Sequence, residues 1–476
     1  MMNPSQKPVS ELSLMAVLML AVMVVGFDGG MMFSAMPTMI RLFGDPVVAG
    51  WLITAYFLTA AGSCAVSSRL GDLYGRGRVL RWMFVMAILG SAIAAFAPTL
   101  EWIVVGRALQ GISDAILPLT FGLARERLPE HRVPHGISYL SGAGVIFAGL
   151  GVFLGGVVVD NLSWHALFYA SGMLGVVALL AAELVLPPSK MEIKREALDI
   201  IGGLLFLPAI TLVLIAITNA KKAGWHDPAV LAMIGLGLAL MVVWARYESL
   251  HPNPLIDVRQ FRNWQIAITN LNMILFGLAT SQLMLVLLLL LQQPKWTGVG
   301  LALSATLAGA IKIPSNLTAL ITAPWCARLT GRYGARQAAL YGLAFQTVGW
   351  AMLTGIHDSL PAVVALLIFL GVGTSMTYAA LANLIVEAIP AERTSEAIGV
   401  MQVVRTTTTA IGAQVVTFLL YSSTLSDPSG GAGIYPSPWS YKLTLGAITC
   451  AVFVGLLLTY TLPRRSTASP AVAISS

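Results

Sequence analysis

Charge is what this sequence has least of. Asp, Glu, Lys and Arg make up 10% of its 476 residues, whereas 57% are hydrophobic and the mean hydropathy is +0.81. Soluble domains carry about 25% charged residues. A chain of this length with so few charges cannot cover a soluble surface, so a polytopic membrane protein is expected. Cysteine is scarce too. Cys64, Cys326 and Cys450 lie far apart inside apolar runs, which excludes a disulfide framework or thiolate metal site and makes them small buried hydrophobes. The six histidines are scattered near helix ends. His131 and His135 are four residues apart in a loop, too little for a metal centre. There is no G-x-x-x-x-G-K phosphate loop and no clustered nucleophile. The expectation is therefore no enzyme, no cofactor, no metal and no nucleic-acid partner. The +7 balance has to be read by position rather than as a total.

What is abundant is long apolar runs. A hydrocarbon core of about 30 Å needs roughly 20 apolar residues per helix. Fourteen runs qualify, at about 12–36, 47–68, 79–97, 100–123, 135–158, 163–186, 199–219, 228–247, 264–291, 299–326, 335–355, 360–389, 395–421 and 440–462. They are long and continuous, unlike the short alternating strands of a barrel, so the fold class is all-α. The first run exceeds a signal-peptide core and is followed by no small-residue cleavage site, so it reads as a retained spanning helix.

With the N-terminus inside and helices alternating, twenty of the 28 Lys and Arg residues fall on inside segments and five outside. Arg107, Lys312 and Arg405 lie within spans. This bias places both termini in the cytoplasm and supports the count, because a wrongly split helix would scramble the alternation after it.

The inside loop "SSRLGDLYGRGRVLRW", Ser67 to Trp82, concentrates four arginines and an aspartate. Gly71, Asp72, Gly75 and Arg76 suggest a tight turn, with Asp72 near the start of the third helix beside Arg76 and Arg78. The loop recurs. "RLGDLYGRGR" from Arg69 matches "RLTGRYGARQ" from Arg328 at Arg69/Arg328, Leu70/Leu329, Tyr74/Tyr333 and Gly75/Gly334, one copy after the second run and one after the tenth. Such internal similarity marks a repeated transporter fold. It divides the chain into an N-terminal tail (1–11), a six-helix half (12–186), a linker with two extra spans (187–263), a second six-helix half (264–462) and a tail (463–476) expected to be disordered. The two extra spans carry no acid beyond Asp199 at the very start of the first and are assigned only peripheral packing.

These features resemble the major facilitator superfamily, and within it the fourteen-helix drug:proton antiporter branch. "GDLYGRGR" is similar to the superfamily's signature loop. "FDGGMMFSAMP" (Phe27 to Pro37) and "WLITAYFLTAA" (Trp51 to Ala61) resemble the branch's motifs in the first and second helices. "GRALQG" (Gly106 to Gly111) resembles its Arg-x-x-Gln-Gly motif, and "PLIDVRQFRN" (Pro254 to Asn263) its loop before the ninth helix. The resemblance implies that Asp72 with Arg69, Arg76 and Arg78, on the frame of Gly71 and Gly75, forms a cytoplasmic gate that stabilises the outward-facing state. In the second loop Gly331 stands opposite Asp72, so this gate is expected to be asymmetric. The fifth helix carries a glycine run that includes Gly144, Gly151, Gly155 and Gly156, but Val152 stands where the antiporter pattern has proline. The departure removes an expected bend and keeps open a lipid or metabolite exporter, or a facilitator, of the same fold.

Ionisable groups at bilayer depth are costly and mark function by default. They are Asp28, Arg107, Asp114, Lys312 and Arg405. Glu183 and Glu387 lie near helix ends and reach the interface. Asp28, flanked by glycines, suits a proton carrier, or else a static ion pair. Arg107, Gln110 and Asp114 fall on one helical face, with Arg107 and Asp114 about 10 Å apart. The resemblance places the first and fourth helices along the cavity. Asp28, Arg107 and Asp114 are the proton-coupling candidates, and Asp28, Gln110, Asp114, Lys312 and Arg405 the substrate-cavity candidates. A buried arginine stays charged, so Arg405 needs an acid, and Asp28 and Asp114 both qualify. Lys312 precedes a break expected at Pro314. The twenty methionines suit a pliant lining or ordinary apolar filling. The expected function is proton-coupled efflux of hydrophobic or cationic small molecules by alternating access, in a monomer of the cell membrane surrounded by lipid.

Overall fold

In hydrocarbon every backbone amide must find its partner within its own segment, so continuous apolar runs fold as helices. The computed structural model describes residues 10–186, 200–251, 258–356, 359–389, 394–428 and 434–463. All fourteen apolar intervals are helical there. They are α1 (Glu11–Phe43), α2 (Trp51–Tyr74), α3 (Arg76–Ala95), α4 (Leu100–Ile112 continued by Ile116–Arg127), α5 (Val133–Asn161), α6 (His165–Val185), α7 (Ile200–Ala223) and α8 (Pro228–Leu250). Then come α9 (Trp264–Leu278 continued by Leu283–Gln292), α10 (Ala305–Ala310 continued by Lys312–Tyr333), α11 (Ala335–Gly355), α12 (Leu360–Ala388), α13 (Thr394–Leu420) and α14 (Pro438–Tyr460). A two-stranded hairpin, β1 (Thr424–Ser426) with β2 (Ile434–Pro436), joins α13 to α14. Ten of the helices are long and apolar enough to cross a membrane by length and composition. Large apolar side chains such as Phe96, Leu184, Ile321 and Trp325 point outward from the helices, as a lipid-facing surface requires. The tails 1–9 and 464–476 and most of the linker before α7 lie outside the described residues.

Several boundaries differ from the expectation for physical reasons. The second run continues to Tyr74, so Asp72 lies in the last turn of α2 rather than at the start of the third helix. The chain turns at Gly75 alone, where φ is +88°, a conformation that only glycine adopts without strain. Gly334 has φ +85° at the α10–α11 junction. The two repeated loops therefore share a backbone conformation as well as residues. The break expected at Pro314 falls earlier, at Ile311. Pro314 then sits in the first turn of the next segment, where a missing N–H leaves no bond unmade.

Helix α5 runs without interruption through Val152. It lies against α1 along a seam of glycines. A methyl at Gly30 would stand 2.6 Å from the Ala148 carbonyl oxygen, and one at Gly151 2.6 Å from that of Gly26. One at Gly155 would stand 2.8 Å from Met31 Cα. The same helix meets the second half. Gly156 lies against Ala305, and the Asp160 carboxylate accepts from the Ala305 N–H (3.1 Å) and the Thr306 N–H (2.7 Å) at the start of α10. Asn316 Nδ2 donates to the Val145 carbonyl at 3.4 Å. Between α2 and α13, Thr54 donates to the Ala410 carbonyl (3.3 Å) and Gln414 to that of Val47 (3.0 Å). Asp160, Ala305, Val47 and Gln414 all lie toward the end of the bundle opposite the N-terminus.

The extra pair α7–α8 does more than pack at the periphery. Phe206, Ile210, Leu214 and Trp244 share a core with Leu58 and Ala61 of α2 and with Val400 and Val403 of α13. The Thr218 hydroxyl accepts from Trp51 Nε1 and from Gln414 Nε2, each at 2.9 Å. One hydroxyl of the inserted pair therefore ties the two helices that bring the halves together.

Gly30→Leu would overpack the α1–α5 seam, at a cost of about 1–3 kcal/mol or more. The expected outcome is a melting temperature several degrees below wild type in detergent, measured by intrinsic fluorescence. Gly144→Leu, at a glycine whose closest neighbour is 3.6 Å away, should shift it much less.

Candidate functional site

The six residues "GRALQG" pack α4 closely against its neighbours α2 and α3. Gly106 lies against α3, where a methyl would stand 2.6 Å from the Gly90 carbonyl oxygen. Gly111 lies against α2, where a side chain would collide with the Tyr56 carbonyl. Thr59 and Ser63 of α2 donate to the α4 carbonyls of Ala108 (2.7 Å) and Ile112 (2.5 Å), stitching the two helices where α4 tightens into a 3₁₀ turn at Ser113–Ala115. Such hydroxyls supply the bonds an interrupted helix needs in a membrane.

This close approach buries Arg107, which is 1% exposed. Its Nε donates to the Leu52 carbonyl, and its Nη1 to the Asp28 carbonyl and to Gln110 Oε1, each at 2.9 Å. The guanidinium carbon lies 4.4 Å from the centre of the Tyr56 ring. Gln110 turns the other way, and its Nε2 donates to Ser91 (2.9 Å, on α3) and Ser171 (3.0 Å, on α6). The two serine hydroxyls are 2.8 Å apart, and Ser171 donates to the Asp28 carboxylate. Asp28 Oδ2 has no partner. Asp28, Arg107 and Gln110 thus form one enclosed network inside the first half rather than an open cavity lining.

Asp114 belongs to a second cluster. It accepts from the Tyr56 hydroxyl at 2.9 Å and from Cys64 Sγ at 3.9 Å. Tyr56 therefore links the two clusters, with Arg107 over its ring and Asp114 at its hydroxyl. The Arg405 charge acts on Asp114 from the second half, whereas the charges acting on Asp28 are those of Arg107 and Asp114. Of the two acids considered for Arg405, the structure brings Asp114 toward it. Arg405 Nε also donates to Gln402 Oε1 (3.2 Å), and its guanidinium lies 5.7 Å from the centre of the Tyr378 ring. Lys312 stands apart, and its Nζ donates to Ser315 at 3.2 Å.

At the end that carries the N-terminus, Gly71 packs on Leu119 and Arg76, and Arg76 Nη1 donates to the Gly122 carbonyl of α4 at 3.0 Å. Arg78 is exposed. The side chains of Arg69 and Asp72 lie outside the described residues. An arginine also closes each half at this end. Arg81 of α3 donates to the Leu186 carbonyl (2.6 Å) just past α6 and pairs with Glu183 at 3.0 Å. Arg336 of α11 donates to the Tyr460 carbonyl (2.8 Å) at the end of α14. A cation at a helix C-terminus complements its dipole.

The Major Facilitator Superfamily profile matches residues 18–413 and 271–474. The chain belongs to the major facilitator superfamily. It is thus a multi-pass membrane protein of a family of transporters. The lincomycin resistance protein LmrB of Listeria monocytogenes is 24% identical over 429 residues, 89% of each chain. The tetracenomycin C resistance and export protein of Streptomyces glaucescens is 24% identical over 427 residues, 88% of this chain and 76% of that one. The multidrug resistance protein Stp of Mycobacterium tuberculosis is 27% identical over 375 residues, 77% of this chain and 67% of that one. Among solved structures, the nucleoside transporter NupG (D323A mutant) superposes with a TM-score of 0.66 at 13% identity, over 94% of this chain and 98% of that one. The POT family transporter PepTSo does so with 0.63 at 15%, over 96% and 98%. At these identities the structures establish the shared superfamily fold.

Sequence reasoning missed Tyr56, Cys64, Ser91 and Ser171. A lone hydroxyl in an apolar run carries no periodic signal of its own. Only Tyr56 stood inside a recognised motif.

Gln110→Leu leaves Arg107 and both serines short of partners, a cost of about 1–3 kcal/mol for a buried group. Tyr56→Phe removes one hydroxyl, worth about 1 kcal/mol. Thermal melts should therefore rank Gln110→Leu below Tyr56→Phe and both below wild type. The reverse order would contradict the network.

Proposed function

We propose that this chain exports hydrophobic or cationic small molecules in exchange for protons, by alternating access of two six-helix halves. The observation that carries the reading is the enclosed Asp28 carboxyl. One oxygen is held by Ser171, the other has no partner, and Arg107 binds the backbone of the same residue. A carboxyl in this setting can gain a proton without losing a bond, and its neighbouring cation rewards the charged form. The Tyr56 ring and hydroxyl connect this proton site to Asp114, which faces the second half and is suited to a cationic cargo.

The relatives named for multidrug, lincomycin and tetracenomycin C resistance support the drug class of cargo. The Lys and Arg bias supports a cell-membrane topology with both termini cytoplasmic. On that topology the named contacts between halves close the outer side, and the Arg76 and Arg81 clusters lie at the cytoplasmic side, where a gate built with Arg69, Asp72 and Arg78 would act. The chain is taken to work as a monomer among lipids.

A second reading, a lipid or metabolite exporter or a facilitator without strict antiport, is favoured by one feature. Val152 stands in an unbent α5, buried between Gly30 of α1 and Gly309 of α10.

Ethidium transport in proteoliposomes under an imposed pH gradient separates the two. Wild type should accumulate dye only with the gradient, and Asp28→Asn should lose that dependence while still binding dye. Equal transport with and without the gradient would favour the second reading.

A further inference from the structure

Among the described residues Lys312 has no counter-charge. Leu317, Ile321 and Trp325 are exposed and mark the lipid face of α10. At about 100° per residue, Lys312 lies roughly half a turn round the helix from them. Its neighbours one turn away on either side, Ala308 and Ser315, are buried. Its ammonium therefore belongs to the packed side of the helix. It has three donor hydrogens, and the Ser315 hydroxyl at 3.2 Å takes one. Among the described residues no ion pair includes Lys312, and no charged group acts on it. Arg405, by contrast, acts on Asp114. A cation at bilayer depth with no anion is expensive to keep.

A second, independent observation lies on the neighbouring helix. Ser315 packs on α12 at Gly371, where a methyl would stand 2.7 Å from its Oγ. Tyr378, beneath Arg405, lies seven residues further on and so on the same face of α12. Between them, on that face, the buried Thr374 hydroxyl has no hydrogen-bond partner. Thr374 is thus one helical turn from the Gly371 contact of Ser315, the residue that holds the Lys312 ammonium, and both groups have hydrogens to give and no anion to take them.

We propose that Lys312, with the Thr374 hydroxyl, binds a carboxylate carried by the transported molecule, so that the cargo of this chain includes zwitterionic amphiphiles. The cationic part of such a molecule faces Asp114 in the first half and its carboxylate faces the second half, bridging the two. The inference rests on the efflux reading above for its account of Asp114, and deepens it by naming the substrate class.

The test uses two rhodamine dyes that differ in one group, a free carboxylate in one and its ethyl ester in the other. Binding to the detergent-purified protein is followed by fluorescence anisotropy. Wild type should bind both. Lys312→Met should weaken the carboxylate dye about tenfold, the value of one charge-assisted bond, and leave the ester within about twofold. Lys312→Arg should keep the carboxylate dye, and Thr374→Val should weaken it selectively but less. If wild type does not bind the carboxylate dye, or Lys312→Met weakens both dyes equally or neither, the proposal is overturned. If Lys312→Met does not fold, Thr374→Val decides by the same selectivity. Failure of the efflux reading looks different: the ester dye would not move with a pH gradient in proteoliposomes, whatever the binding results.

Discussion

The burial of one guanidinium organises the first half. Arg107 cannot shed its charge and cannot reach water, so its donors have to be met by groups brought to it. The groups come from α1 (the Asp28 carbonyl), α2 (the Leu52 carbonyl and the Tyr56 ring) and α4 itself (Gln110). Such groups require close helix approaches, and on the α2 side Gly111 of α4 permits one. Breaking such a centre by removing one partner costs more than any apolar contact nearby, because the remaining charge is left in a medium that does not solvate it. The helices around Arg107 are therefore fixed relative to each other, which suits a half that moves as a rigid body.

The second half is built differently. Its interior polar groups are mostly neutral amides and hydroxyls. Gln346 accepts from Thr280 at 2.6 Å and donates to Thr377 at 2.8 Å, and Gln282 donates to the carbonyls of Gly277 (2.8 Å) and Thr409 (3.0 Å) where α9 is interrupted. Arg336 closes it at one end, but its two cations at bilayer depth, Lys312 and Arg405, are not consumed in holding it together. The repeat that relates the halves is plain at Gly75 and Gly334, yet the charges have diverged: Asp28 and Asp114 accompany Arg107 in the first half, and Lys312 and Arg405 lie in the second. That asymmetry leaves the second half's membrane-depth cations without an acid of their own half among the described contacts.

The sequence made the helices legible because the bilayer enforces one long apolar run per crossing, and it made the Gly75 and Gly334 turns legible because the motif repeats. The ionisable residues were legible because charge inside hydrocarbon is rare. What could not be read was direction. Arg107, Gln110 and Asp114 share a helical face by spacing, but the 3₁₀ turn at Ser113–Ala115 and the pull of Ser91 and Ser171 send Gln110 inward and Asp114 toward Tyr56. The interruption of α9 at Thr280–Gln282 was equally hidden, since no proline marks it and the Gln282 side chain ties it both to Gly277 and to Thr409, 127 residues away. The role of α7 depended on a single threonine, Thr218, whose two partners lie 167 and 196 residues away.

That threonine bears on how the halves can move. Trp51 and Gln414 belong to opposite halves, and both donate to the one Thr218 hydroxyl, which in turn donates to the Leu214 carbonyl at 3.0 Å. If α2 and α13 separate at this end, at least one of the two bonds must break, and the indole or the amide is left facing hydrocarbon unless water or cargo replaces Thr218. The α1–α5 seam imposes no such choice, because both of its helices lie in the same half and travel together. Opening of this end is therefore resisted by a small number of replaceable polar bonds, at Thr218, at Thr54 and at the Asp160 cap of α10, set among apolar contacts that can slide. Bonds of that kind cost little to exchange once water enters, so this end can part without breaking the packing inside either half.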